Sequence, residues 1–370
     1  MFYRILLFVS ALTGCSYLQK SSIPISLKFV NEQVLEKETV FKGLKVGGLS
    51  ELAFDQKTAH LIALSDDKKK HRWYELSLQK KPKYHIKIVK QIFLKSPNSK
   101  KLNQNMDPEA IVFYGDKDVF IASEGQQIYK EHEPTQIFTF NREGFLKDKW
   151  PVNPVFWQAT PENKAGKIGT QENKGFESLS LDKKKQTLWT ATEKPLKQDL
   201  IFKNKSLVRL TVFDIKSKKM LSQYPYFLKD TKDGGLTALK FLKNKTFISL
   251  ERAYKKNKKQ GVNEVQLFFT DCRKAKDIKK YITLKKKKIK ACSKKLLWSS
   301  SQIKNIKVDN LEGLALIPHK FLKNQNLDIK SNKLKNKKST KKQTLILVSD
   351  DNFNPKTQKT QFLFFDLVEK

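Results

Sequence analysis

The chain has 370 residues, with 74 Lys and Arg against 37 Asp and Glu, giving a formal net charge of +37; 39% of its residues are hydrophobic and 11% aromatic. That apolar content suffices for one large or two medium cores, and the recurrence of Phe, Trp and Tyr throughout excludes collagen-like, coiled-coil and disordered chains. Three cysteines exclude a disulfide-rich scaffold.

Only 6 of the basic residues are Arg, the side chain that reads base edges and grips phosphates bidentately. The charge therefore reads as a Lys-rich solvated surface with no specific nucleic-acid partner. A field of this sign also attracts phosphorylated small molecules.

In chain order, residues 1–14 read as a lipoprotein signal peptide. Arg4 precedes the apolar run Ile5–Leu12, which is far short of the roughly 20 residues that cross a bilayer. Leu12-Thr13-Gly14-Cys15 resembles a bacterial lipobox. This predicts lipidation of Cys15 by acyl chains such as palmitate, residues 15–24 as a lipidated tether, and a membrane partner through the anchor. Ser16, rather than Asp, after the cysteine points to the outer membrane, on its periplasmic side or at the surface. The alternative is an ordinary cleaved signal with an incidental cysteine.

Residues 25–370 contain a repeat. Gly48-Leu-Ser-Glu-Leu-Ala-Phe54, Asp107-Pro-Glu-Ala-Ile-Val-Phe113, Gly175-Phe-Glu-Ser-Leu-Ser-Leu181, Gly235-Leu-Thr-Ala-Leu-Lys-Phe241 and Asn310-Leu-Glu-Gly-Leu-Ala-Leu316 stack on one another. Each precedes a second apolar run closed by an acid: Leu61–Asp66, Val119–Glu124, Leu188–Glu193, Thr246–Glu251 and Leu345–Asp350. These runs are β-branched, aromatic and bounded by turn residues, so they read as strands.

Two further strands follow each of the first four pairs: Arg72–Leu78 and Ile86–Leu94, Gln136–Asn141 and Phe145–Trp150, Leu207–Asp214 and Met220–Phe227, Val265–Thr270 and Ile289–Trp298. Four strands per repeat make an all-β chain with the blades of a β-propeller. Five blades are favoured; a sixth requires a degenerate blade within Trp150–Thr170. The fifth repeat ends one strand short after Thr360–Leu367, and the N-terminal segment Ile25–Phe41 would complete it, closing the ring and hiding a sheet edge. Residues 318–343 form a Lys-rich insertion in the last blade. In an oxidising envelope, Cys272 and Cys292 are expected to pair, closing a loop of about 20 residues for about 3 kcal/mol; two inert thiols are the alternative.

In an antiparallel blade, the start of the first strand and the end of the second meet at one rim. Two columns converge there: Ser50, Glu109, Glu177, Thr237 and Glu312, then Asp66, Glu124, Glu193, Glu251 and Asp350. Eight carboxylates around one mouth repel each other unless neutralised. Hard cations such as Ca²⁺ take six to eight oxygen ligands, so a Ca²⁺ site is expected, with Asp67, Asp351 and Asn352 adding oxygens. Lys194 and Arg252, each just after a rim acid, would pair with those acids or reach a substrate phosphate. The alternative is that the acids only latch adjacent blades together.

At these residues the sequence resembles the bacterial phytase-like domain family, named for the esterase-like activity of phytase. The matching pieces are Gly47-Gly-Leu-Ser with Ala63-Leu-Ser-Asp-Asp67, Asp107-Pro-Glu-Ala with Ala122-Ser-Glu124, Gly175-Phe-Glu-Ser-Leu with Ala191–Leu196, Leu250-Glu-Arg252, and Asp309–Gly313 with Val348–Phe353. They cover most of residues 45–367. The resemblance implies an exported hydrolase-like domain acting on phosphoesters such as phytate. No Gly-x-Ser-x-Gly elbow, Walker loop or His-Glu-x-x-His site occurs, and the five histidines are expected at the surface. The expected function is metal-assisted phosphoester hydrolysis; the rival is a non-enzymatic propeller that binds an envelope partner.

Overall fold

The computed structural model describes residues 23–80, 82–102, 105–128, 131–156, 167–200, 205–230, 232–256, 261–284, 289–323 and 343–369. The signal segment, Cys15 and residues 324–342 of the insertion lie outside them. Five four-stranded antiparallel sheets make the blades of a β-propeller. Blade 1 runs Leu49–Asp55, His60–Ser65, Arg72–Lys80, Tyr84–Phe93; blade 2, Pro108–Tyr114, Asp118–Ser123, Gln136–Asn141, Leu146–Lys149. Blade 3 runs Phe176–Asp182, Thr187–Thr192, Leu207–Asp214, Met220–Phe227; blade 4, Gly234–Lys243, Thr246–Lys256, Gly261–Asp271, Ser293–Ser299. Blade 5 takes Leu311–Pro318, Gln343–Ser349 and Gln361–Glu369 from the C-terminal end and Ile25–Val34 from the N-terminal one.

The first strand of every blade packs against the first strands of both neighbours, so these five line the central channel. Each blade presents apolar residues on both faces, which explains runs such as Leu345-Ile-Leu-Val348 that do not alternate. Among the described residues the core is divided accordingly into one cluster per blade junction, with a small sixth cluster, Leu207, Ile278 and Leu284, where a loop packs on blade 3. Leu52, Tyr74 and Ile346 fill the junction of blades 5 and 1, for example, and Trp189, Tyr224 and Phe247 that of blades 3 and 4. Each fully buried Leu, Ile or Phe contributes about 1.5–3 kcal/mol.

Ring closure is built from side chains as well as strands. Ile25–Val34 pairs with Glu369–Gln361. From that strand the Asn31 amide receives the Tyr84 N–H at 3.0 Å and donates to the Tyr84 carbonyl at 2.9 Å; Gln33 does the same for Ile86 at 2.7 and 3.0 Å. Two side-chain amides thus tie the blade that joins the chain ends to the outer strand of blade 1.

Some expected elements shift. The fourth strand of blade 4 begins at Ser293, not Ile289. Lys276 N–H bonds the Lys290 carbonyl and Cys292 N–H bonds the Pro225 carbonyl, so the preceding loop lies across blade 3. Cys272 and Cys292 are joined by a disulfide at the base of that loop, and buried Arg209 clamps it through the Tyr281 and Ile282 carbonyls while paired with Asp199 at 2.6 Å. Only the 25–34 part of Ile25–Phe41 joins blade 5; Val40–Phe41 and Leu44–Lys45 make a small hairpin. Between Trp150 and Thr170 the described residues hold one 3₁₀ turn, Pro154–Phe156, and no sixth sheet occurs among the described residues.

Candidate functional site

Every first strand carries an irregularity at the same place. The pairing register shifts at Ser50, Glu109, Glu177, Thr237 and Glu312, the first column of the rim. A bulged residue is re-aimed out of the ladder, a device common beside functional sites. The second column sits opposite: Asp66, Glu124, Glu193 and Asp350 each donate a backbone N–H to Gly48, Asp107, Gly175 and Asn310, two residues before the first-column residue, at 2.8–3.0 Å.

Blade 4 departs from the expected column. Leu236 pairs with Glu251 and Gly235 with Arg252, so Arg252 holds the place of the rim acid and Glu251 that of Ser65, Ser123, Thr192 and Ser349. A one-residue slip turns a side chain to the opposite face of a sheet. Glu251 accordingly leaves the rim cavity and accepts from Tyr226, Lys294 and, at 2.7 Å, the Lys229 N–H. Lys194 also lies outside the cavity lining, its ammonium spent on the Asp233 and Gly234 carbonyls at 2.8 and 2.6 Å.

The remaining residues come together around a cavity of about 1100 Å³: Asp66, Glu109, Glu124, Glu177, Glu193, Glu312 and Asp350, with Arg252 among them. All but Asp66 of these acids are buried. Glycines make room for them. A Cβ on Gly175 would collide with the Glu124 backbone of blade 2, and one on Gly235 with the Glu193 carboxylate of blade 3. In blades 3 and 4 the opening glycine is thus the seat of the preceding blade's acid, whereas Gly48 of blade 1 seats its own blade's Asp66.

Five cations border the cavity, Lys68, Lys174, Arg252, Lys255 and Lys307, and the first three pair with acids at the rim. Arg252 bonds Glu312 at 2.9 Å and reaches Glu193 at 3.9 Å; Lys68 bonds Asp107 at 2.6 Å; Lys174 pairs with Glu193. Asp107, Glu109 and Glu124 offer oxygen atoms that all lie within 4.8 Å of one another, and one oxygen each of Glu124 and Asp66 is buried without a hydrogen-bond partner. Burial and mutual repulsion raise the affinity of these acids for protons. Asp66 is pushed up to about 7 and Glu124 to about 8, chiefly by burial. Glu109, Glu177 and Asp350 go well above the usual range for the same reason, with neighbouring carboxylates adding to it. A hydrogen bond joins the Glu177 and Glu124 carboxyls across the blade boundary, raising the proton affinity of Glu177 and lowering that of Glu124.

The candidate metal ligands Asp67 and Asp351 are occupied elsewhere: Asp67 by Arg72 at 2.6 Å, Asp351 by the Gly48 N–H at 2.8 Å and Thr360 at 2.9 Å. Asp351 therefore fastens blade 5 to blade 1. His60 and His71 are partly buried rather than free at the surface, bonded to Glu75 and to the Met106 carbonyl. Sequence reasoning passed over Asp107, Lys68 and Lys174. Asp107 had a visible signal, since it stands where blades 1, 3 and 4 carry Gly; the lysines, two among 68, had none.

A family model described as phytase-like, esterase-like activity of phytase, matches residues 44–353. No curated protein matches the chain. Among solved structures, one titled "Structure of Dos1 propeller" is similar, at 9% identity and a TM-score of 0.35, covering 86% of this chain and 67% of its own.

Proposed function

Because the chain belongs to the phytase-like family, over residues 44–353, we propose that its acidic rim is the active site of a metal-assisted phosphoester hydrolase. The observation that carries this reading is the Asp107–Glu109–Glu124 cluster inside a cavity that also holds Lys68, Lys174 and Arg252. The donors are all carboxylate oxygens, which suit Ca²⁺ or Mg²⁺ rather than softer metals. At bond lengths near 2.3–2.6 Å, two ligands of one Ca²⁺ lie up to about 5 Å apart, so oxygens within 4.8 Å fit a shared ion. The buried oxygen of Glu124 that lacks a hydrogen bond is a donor such an ion would satisfy.

A hard divalent cation, when bound, neutralises charge on a phosphoryl group as a Lewis acid. The chain's own residues do the rest. Lys174 and Arg252, which line the same cavity, would bind phosphoryl oxygens. Glu177, whose carboxyl is pushed well above the usual range by burial and by neighbouring carboxylates, is placed to serve the leaving oxygen as general acid. A cavity of about 1100 Å³ is large for one phosphate and accommodates a multiply phosphorylated small molecule. Lipidation of Cys15 would hold the enzyme on the outer membrane, facing the periplasm or the exterior; a Cys15→Ala protein released to the soluble envelope fraction supports that placement, and one still in the membrane opposes it.

The test is phosphate release from phytate by the purified protein, with Ca²⁺ and with excess chelator. Release abolished by chelator and by Glu177→Gln, at unchanged melting temperature, supports the proposal. A second reading, a non-enzymatic envelope-binding module, is favoured by one observation: Lys68, Lys174 and Arg252 are each already engaged by a rim carboxylate. It predicts no release from folded protein, and a melting temperature lowered by Glu177→Gln.

A further inference from the structure

The opposite mouth of the channel has a different chemistry. A cavity of about 810 Å³ opens there, bordered by Phe54, Phe113, Leu181, Phe241 and Leu316, the ends of all five first strands. Four of the five blades place a small or apolar residue one position earlier: Ala53, Val112, Ser180 and Ala315. Blade 4 places Lys240, and its side chain borders the cavity. No hydrogen bond or salt bridge is made by the Lys240 ammonium among the described residues; its electrostatic partner is Glu51.

Glu51 is an equal exception. It stands on blade 1 where the other blades carry Ala110, Ser178, Ala238 and Gly313, and one of its oxygens accepts the Leu52 and Leu314 N–H groups at 2.9 and 2.8 Å. Lys240 is thus a half-buried cation that makes no hydrogen bond among the described residues, in a bowl lined by apolar rings and polar side chains alike. Lys183 and Lys243 border the same cavity. Of its two acids, Asp271 is held by Arg273 at 2.5 Å, which leaves Glu369 on the third strand of blade 5.

We propose that this mouth is a second binding site, for a single-chain anionic amphiphile: a carboxylate head against Lys240 and an alkyl tail among Phe54, Phe113, Phe241 and Leu316. The Lys240 ammonium, with no hydrogen bond to the protein among the described residues, can donate a charge-assisted bond to a carboxylate. The apolar rings bury the tail, and the volume lies within the range of small-molecule sites. A neutral chain of equal length gains the apolar contact but no bond from the Lys240 ammonium, which is left with Glu51 alone, so the site discriminates by charge.

Titration calorimetry with decanoate and 1-decanol, below micelle formation and in chelator so that the acidic rim stays free of metal, tests the assignment. Decanoate is expected to bind the purified protein at least tenfold more tightly than 1-decanol. Lys240→Met should erase that preference while leaving 1-decanol binding intact, Lys240→Arg should keep it, and Leu316→Trp should weaken both ligands by filling the bowl. Equal affinity for the two ligands, no binding of decanoate, or a preference that survives Lys240→Met would overturn the proposal. Should Lys240→Met fail to fold, the Lys240→Arg and Leu316→Trp proteins decide it alone. Neither result depends on phosphoester hydrolysis.

Discussion

Replacing Arg252 with Met isolates what the one cation in the second column does. The guanidinium is 18% exposed, bonds Glu312 at 2.9 Å and reaches Glu193 at 3.9 Å, with both carboxylates largely buried. Methionine retains the stem and removes the charge, stranding Glu312 among Glu177 and Asp350 while Glu193 keeps Lys174. Removing one partner of a buried ion pair costs about 3–5 kcal/mol. At about 2.1 cal/mol/K per residue, the unfolding entropy of a propeller of this size is about 0.7 kcal/mol/K, so the melting temperature should fall by about 4–7 °C. Burial holds the Glu312 carboxyl above its usual range, so a proton can replace the lost cation at pH 5, where the deficit should shrink. Added Ca²⁺ should shrink it at pH 8 as well. Differential scanning fluorimetry at pH 5 and 8, with and without Ca²⁺, measures all four cases. A melting temperature unchanged at pH 8 in chelator would refute the view that Arg252 balances the rim.

The metal-free protein should lose stability as pH rises. Asp66 and Glu124, pushed up to about 7 and about 8, bind more protons folded than unfolded between about pH 4 and 8. Their contribution is therefore present below pH 4 and lost through pH 7–8. Ca²⁺ should raise the melting temperature at pH 8 and not at pH 5, because the ion must displace those protons; an equal Ca²⁺ effect at both values would count against rim ligation. Replacing Cys272 and Cys292 with Ser should cost about 3 kcal/mol, or about 4 °C, without altering turnover, and a loss of turnover would show that the loop reaches the rim. Exchanging Asn31 and Gln33 for Leu should leave the blade-1 backbone donors at Tyr84 and Ile86 unsatisfied, at about 1–3 kcal/mol per buried group. Protection of those two amides against hydrogen exchange should drop first, and unchanged protection would show that the side-chain amides do not hold the closure.

The sequence by itself determined the all-β repeat, the five blades and the closing strand. Blade periodicity, turn residues and apolar runs are local properties, and a chain one strand short at its C-terminus has an unpaired edge to fill. It also determined most of the rim, because Glu109, Glu177 and Glu312 share one place in a repeated motif. What the tertiary structure decided is which residue of each pair of neighbours faces the cavity. Matching residue types put Glu251 in the acid column. Strand pairing put Arg252 there, because side chains alternate across a sheet and a single-residue shift exchanges the faces. One local mark of that slip was present: an acid of the column follows Ser65, Ser123, Thr192 or Ser349, whereas Glu251 follows Leu250. The partners of the acids lay beyond any local mark. Lys68 and Lys174 reach Asp107 and Glu193 from loops 39 and 19 positions away, whereas Lys240 and Glu51, 189 positions apart, interact only because the ring brings non-adjacent blades to one channel.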